Sequence, residues 1–384
     1  MTSRERLLTA IACQQPDHVP LYFNTRGFRP PEPLLWSNWT ERAEYLLSLG
    51  VDDICDVFLE ARLHPEVQVR SWREDSTEER YPVMIKEYET PAGTLRQEVY
   101  YTEEGDSLWG VPTQALLMMD YNVPRSRRFP VEGEADLPAL RYLLQPPEGA
   151  ALEAFHEATA EMAQACDRLG ILLAGWGPLG TDAAVWLCGV ENLIYLAMDQ
   201  PAVFAQLLDI IHEHDKRLIE ILLDSPVDLI VRRGWYDHAD FWSPALWGQY
   251  IAPRLRELTE LVHQGGKLMG YVMSTAMGPL LGMLSEIGYD LHYFVDPVQG
   301  KADLREVKTT LGRRTALLGG MNSAVTLERG TDDEIRRAVY EAVEILGPGG
   351  GFILSPVDCL FPTTPWHSVE VVIEAWREVR ALYH

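Results

Sequence analysis

The sequence predicts an α/β protein built as a (β/α)8 TIM-type barrel. Three observations carry that expectation. Short apolar runs rich in β-branched and aromatic residues alternate with longer helical patterns. Eight such runs can be counted, and eight favour closure over an open doubly wound sheet. No GxGxxG follows the first run, which weighs against a dinucleotide fold.

The first two strands are expected at Val19–Phe23 and Val51–Val57, with a helix over Thr40–Leu49 between them. Six more are expected at Gly170–Trp176, Val227–Arg233, Lys267–Met273, Tyr289–Val295, Thr315–Met321 and Gly351–Ser355. Helices follow near 190–223, 244–264, 277–287, 303–311, 331–346 and 365–382. Residues 58–150 break this rhythm. Val67–Trp72, Pro82–Tyr88 and Thr94–Tyr101 alternate as strands do, and Pro91-Ala92-Gly93 predicts a tight hairpin turn between the last two. Pro124–Gly149 is rich in proline and charge and reads as a surface crossing. The block is therefore expected to be a hairpin-containing insertion after the second strand. The whole chain, 1–384, would then be one barrel domain.

Composition narrows the function classes. The 384 residues are 47% hydrophobic and 23% charged, enough apolar content for a large core. A net charge of -24 argues against a nucleic-acid partner, which calls for a basic footprint. No apolar run approaches the length of a membrane span. The five cysteines are odd in number and form no CxxC, which points to a reducing, cytoplasmic setting. Met1–Arg6 leads into an amphipathic helix with no signal-type apolar region.

Barrels of this kind place their chemistry at strand C-termini and the loops beyond. Arg26 and one of Arg232 and Arg233 could hold a substrate carboxylate through a planar fork, or form rim salt bridges. Alternation allows only one of that pair to point inward, and Arg233 is taken as the site residue. Asp237, Asp296 and Asp358 are candidate acids or electrostatic stabilisers, with helix capping as the bland alternative. Trp176, Trp235, Tyr236 and Phe241 would wall an apolar pocket for a flat or methylated compound, or pack beneath the loops. Tyr271 and Asn322 also fall at strand ends. Cys359 is a candidate zinc ligand or a small buried apolar residue. His238, His292 and His367 could join it only if the fold gathers them.

These residues sit in a recurring order of motifs. Ser3-Arg4-Glu5-Arg6, Pro16-Asp17-His18-Val19-Pro20, Thr90-Pro91-Ala92-Gly93-Thr94-Leu95, Gly175-Trp176-Gly177-Pro178, Phe241-Trp242-Ser243-Pro244, Gly319-Gly320-Met321-Asn322, Gly350-Gly351-Phe352-Ile353-Leu354, Asp358-Cys359 and Thr364-Pro365 run the length of the chain. In that order and spacing the chain resembles the uroporphyrinogen decarboxylase superfamily. The Thr90–Leu95 hairpin is more similar to its corrinoid-linked methyltransferase branch than to the tetrapyrrole decarboxylase.

The resemblance implies a distorted (β/α)8 barrel. It also implies a methyltransferase or demethylase acting on a small methylated or methoxylated compound, with a corrinoid protein as methyl-carrying partner. Methyltransferases of that branch bind zinc through a His-x-Cys motif at the fifth strand end and a later cysteine. Here that place falls on Tyr271-Val272-Met273, and only Cys359 remains, so the usual zinc site is expected to be absent. The decarboxylase implies a second reading, a cofactor-free carboxy-lyase in porphyrin biosynthesis. Its early arginine segment corresponds to Arg26-Gly27-Phe28-Arg29, and its cleft aspartate to Asp56. Decarboxylases of the family are similar in forming homodimers. A non-catalytic small-ligand binding protein is the third reading.

Overall fold

The computed structural model describes residues 1–382 apart from 29, 33, 35, 76–79, 102–114 and 119–122. The chain divides into two compact units, residues 1–59, 153–177 and 219–384 in one, and 60–152 with 178–218 in the other.

The first unit is the barrel. Its strands are β1 (Ile54–Phe58), β6 (Leu172–Trp176), β7 (Leu229–Arg232), β8 (Leu268–Val272), β9 (Leu291–Val295), β10 (Ala316–Met321) and β11 (Phe352–Pro356). Each pairs in parallel with the next. The eighth position is taken by the chain at 21–22. Leu21 bridges Leu354 of β11 and Tyr22 bridges Asp52 just before β1, both in parallel, so the two sheet edges meet there. All eight predicted strands therefore form the (β/α)8 TIM-type barrel, the first only as this pair of bridges.

Alternation along the strands decides what fills the interior. Ile54, Leu172, Ala174, Leu229, Val231, Val272, Leu291, Tyr293, Ala316, Leu318 and Ile353 form one buried cluster. Leu7, Ala10 and Ile11 of the helix Ser3–Ile11 join it. That helix starts at a reciprocal cap, in which the Thr2 hydroxyl accepts from the Glu5 amide and the Glu5 carboxylate accepts from the Thr2 amide. The same logic opens the helix Asp332–Leu346 at Thr331 and Glu334.

Several helix boundaries differ from the sequence expectation. The helix expected at 190–223 is two, Val190–Asp199 and Pro201–Leu223, because Pro201 has no N–H to continue the first and suits the start of the second. A helix over Ala150–Leu169, absent from the sequence expectation, precedes β6.

In the second unit β2 (Gln68–Glu74), β3 (Val83–Thr90), β4 (Gly93–Tyr100) and β5 (Ser126–Arg128) form an antiparallel sheet in that order. The predicted hairpin is β3–β4, closed at the pair Thr90 and Gly93, where Gly93 has φ +136°. β5, inside the stretch read as a crossing, pairs with β4. This unit also holds the helix Thr181–Cys188, whose residues are all buried.

The Gly319-Gly320 motif has a geometric cause. The β9–β10 register shifts between Leu318 and Gly319. Gly319 has φ +140°, and a Cβ there would stand 2.4 Å from the Val295 amide nitrogen. Backbone cannot yield as a side-chain tip does. Gly319→Ala is expected to destabilise the barrel by about 3 kcal/mol, through overpacking plus a strained φ. Urea unfolding of the variant measures it, and a loss below about 1 kcal/mol would show that the strand shifts to accommodate the methyl.

Candidate active site

Ile54, Asp56 and Phe58 share the inward face of β1. Asp56 is therefore a carboxyl set into an apolar wall, half-buried beside the β6 residues Ala174 and Trp176. The Trp176 indole Nε1 donates to its Oδ1 at 2.8 Å. Burial pushes the Asp56 carboxyl up to about 6, against the opposing pull of Arg26 and the Trp176 hydrogen bond. The Phe58 and Trp176 rings stack at 6.1 Å, and the exposed Arg26 guanidinium lies over Phe58 at 3.7 Å. Tyr293 of β9 meets Trp176 edge-on at 5.8 Å.

Asp358 and Cys359 follow β11. Asp358 is half-buried and its carboxyl is pushed up to about 6 by burial, opposed by Arg233 and then Arg26. Its backbone is in the left-handed region at φ 71°, uncommon for aspartate. The Asn24 amide donates to the Asp358 carbonyl at 2.8 Å, and the Asn24 Oδ1 accepts from the Arg26 amide at 3.2 Å. These bonds join the loop after the first barrel position to the loop after the last. Cys359 is buried, and burial raises its thiol well above the usual range. Arg29 lies outside the described residues.

The ambiguity between Arg232 and Arg233 resolves by alternation. Leu229 and Val231 face the interior, so Arg232 takes the other side, while Arg233, one residue past the end of β7, is near enough to Asp358 for its charge to act there. Arg232 pairs there with Asp237, both buried, and the Tyr271 hydroxyl donates to the same Asp237 Oδ2 at 2.7 Å. Tyr271 packs on Tyr289 at 5.3 Å, the Tyr289 hydroxyl meets His292 Nδ1 at 2.9 Å, and His292 Nε2 meets the Met273 carbonyl at 2.8 Å. Burial lowers His292 to about 4, so it is neutral at pH 7. The structure thus gathers Asp237 and Tyr271 into a buried network on the strands' outward side, not with Asp56 and Asp358.

Asp296 and Asn322 tie two loops together. Asn322 Nδ2 donates to Asp296 Oδ2 at 2.9 Å and its Oδ1 accepts from the Val325 amide at 2.7 Å; Asp296 Oδ1 accepts from the Val298 amide at 2.9 Å. Asn322 caps the helical turn Ser323–Leu327, while Asp296, for which capping was the bland alternative, precedes no helix and holds the bend that follows it. Trp235 stacks on Phe294 at 5.7 Å, and Tyr236 tilts against Phe241 at 5.9 Å.

Zinc does not fit these donors. The Tyr271 hydroxyl is engaged by Asp237, and the Met273 side chain is fully buried. Both His292 ring nitrogens are engaged, and His367 pairs with Asp332 at the surface. Among the described residues no three His, Cys, Asp or Glu side chains converge as a metal set.

Tyr293 was missed by sequence reasoning. Inside Leu291–Val295 it reads as one more core ring, and only its parity with the inward residues marks it.

The fold and this cluster define a parallel α/β barrel with polar groups at the C-terminal ends of its strands, an enzyme-type arrangement. A family model described as uroporphyrinogen decarboxylase (URO-D) matches residues 116–379, and the chain belongs to that family. Two curated relatives, both methylcobamide:CoM methyltransferase MtaA from Methanosarcina barkeri, are 23% and 25% identical over 195 residues. Those matches cover 51% of this chain and 55% of each relative, so the chain spans about half their length. A solved methyltransferase from Methanosarcina mazei superposes with TM-score 0.58 at 18% identity, covering 98% of this chain and 99% of that one. That likeness is of fold. Among the described residues no helix is long and apolar enough to cross a membrane.

Proposed function

We propose that this chain is a methyl-transferring demethylase of small methoxylated aromatic compounds, working without a His-x-Cys zinc site. The observation that carries the reading is Asp56. It is a half-buried carboxyl poised near 6, held by an indole N–H, beside a stacked aromatic wall and an arginine. Such a group can give up a proton near neutral pH.

A flat ring would lie against Phe58 and Trp176. As the methyl–oxygen bond breaks, the bonding electron pair stays on the oxygen. Asp56 supplies its proton there, so that a neutral hydroxyl compound leaves. Arg26 offsets the negative charge of Asp56, and Arg233 and Arg26 that of Asp358. The methyl acceptor is a corrinoid on a partner protein, a nucleophile suited to taking a methyl group. The names of the curated methyltransferase relatives support a corrinoid as the methyl carrier, in their case as the donor to CoM.

The test is release of phenol from anisole, with cob(I)alamin as acceptor. Phenol is expected in the presence of the enzyme at a rate unchanged by added zinc or by a chelator. No phenol above the enzyme-free control, or phenol only with zinc, overturns the reading.

A second reading rests on Arg233 and Arg26 flanking Asp358. Two cations there would suit a substrate carboxylate, as in a cofactor-free carboxy-lyase, with Asp56 protonating the carbon left behind. Incubation with uroporphyrinogen decides it by the presence or absence of coproporphyrinogen. A ligand that raises the melting temperature with no turnover in either assay would leave a binding protein.

A further inference from the structure

Tyr293 is 2% exposed and lies in the barrel interior. Its hydroxyl oxygen is buried and has no hydrogen-bond partner among the described residues. An unsatisfied buried hydroxyl is disfavoured by about 1–3 kcal/mol, and native folds seldom keep one without a reason. The ring is also held in place. Its edge meets Trp176, the residue that donates to Asp56, and its Cε2 occupies the space above Gly270, 3.1 Å from where a Cβ would stand. Any side chain at 270 would displace the ring. Tyr293 lies close enough to Asp56 for the carboxylate's charge to act on its phenol.

We infer that the Tyr293 hydroxyl is a substrate-positioning donor, which together with Asp56 forms a two-point site for an oxygen atom attached to an aromatic ring. The substrate oxygen accepts from Tyr293 while Asp56 delivers the proton. The chemical class that fits is an aryl ether or phenol, since the partners across the site are a phenol, a carboxyl and the Trp176 face. This inference rests on the reading of the barrel mouth as an aryl-ether site.

Tyr293→Phe removes one oxygen atom and leaves the ring. In the ligand-free protein the melting temperature should stay within about 1 °C of the parent or rise, because no bond is lost. Anisole and ethylbenzene, which differ by an oxygen in place of a methylene, serve as probes in calorimetric binding. The parent should bind anisole about 10-fold more tightly than ethylbenzene, and Tyr293→Phe should abolish that preference while binding ethylbenzene equally well. A fall of several degrees in the ligand-free variant overturns the inference, since the hydroxyl would then have a structural partner. An unchanged anisole preference, or no binding of anisole by the parent, overturns it too. Loss of the preference in a protein that releases no phenol sustains the oxygen site and removes methyl transfer. Equal phenol release by parent and variant does the reverse.

Discussion

Asp56→Asn is expected to lower the rate of anisole demethylation by about 10²–10⁴-fold, the usual worth of a positioned general acid. The amide keeps the size of the side chain and an oxygen for the Trp176 indole to donate to. It cannot release a proton at neutral pH. The pH profile carries the more specific signature. The carboxyl stands at about 6, so the parent's kcat should fall as pH rises through that value and the acid form is lost. The residual activity of the variant should lack that limb.

Stability should move the opposite way. A carboxyl whose folded pKa is raised contributes stability that is present below its ordinary value near 3.8 and lost as pH rises through 6. At pH 7 the parent carries that unfavourable charge and the asparagine variant does not. The variant should unfold at the same temperature as the parent or a higher one. A variant that is both inactive and several degrees less stable would mean that Asp56 holds the barrel together and that its loss says nothing of chemistry. Carboxyl ¹³C titration of the parent, with Asp56 assigned by its absence in the variant, gives the proton affinity independently of any substrate.

Asp237→Ala is expected to cost about 3–5 kcal/mol, because it leaves the buried Arg232 guanidinium without its carboxylate. Tyr271→Phe should cost about 1 kcal/mol, since it removes one hydrogen bond to a charged group already paired. The double replacement Arg232→Met with Asp237→Leu should recover most of the loss, because a buried pair replaced by apolar groups no longer has charges to desolvate. Urea unfolding at pH 7 measures all three. A loss below about 1 kcal/mol in Asp237→Ala would mean that water or another group takes over the carboxylate's role. His292, lowered to about 4, adds a pH dependence to the same region. A histidine kept neutral by burial stabilises fully above 6.5, and that contribution fades as pH falls towards 4.

These two aspartates show how much of the molecule could be read from the chain. The eight strands were legible because each is a short run of β-branched and aromatic residues bounded by turn formers, and parallel barrel strands are buried on both faces. The hairpin was legible from its Pro-Ala-Gly turn. What was hidden is which face a side chain takes. Asp237 and Tyr271 stand at strand ends as site residues would, yet alternation turns them away from the interior that holds Asp56. Asp56 was visible only by position in a family, since an aspartate within an apolar strand looks like a disruption of it. Tyr293 was hidden for the converse reason. A tyrosine between histidine and phenylalanine in an apolar strand looks like core until its hydroxyl is found to lack a partner among the described residues.

The bond from Tyr271 to Asp237 also bears on which sequences this position can reach. Introducing a His-x-Cys pattern here would take two changes, Tyr271→His and Met273→Cys. The first removes the phenol that steadies a buried carboxylate and the ring that packs on Tyr289, and the second empties part of a fully enclosed methionine site. Each step loses stability before any metal could repay it. A fifth strand wired into the core in this way can acquire a His-x-Cys pattern only through less stable intermediates, which closes off that route much as a keystone resists removal.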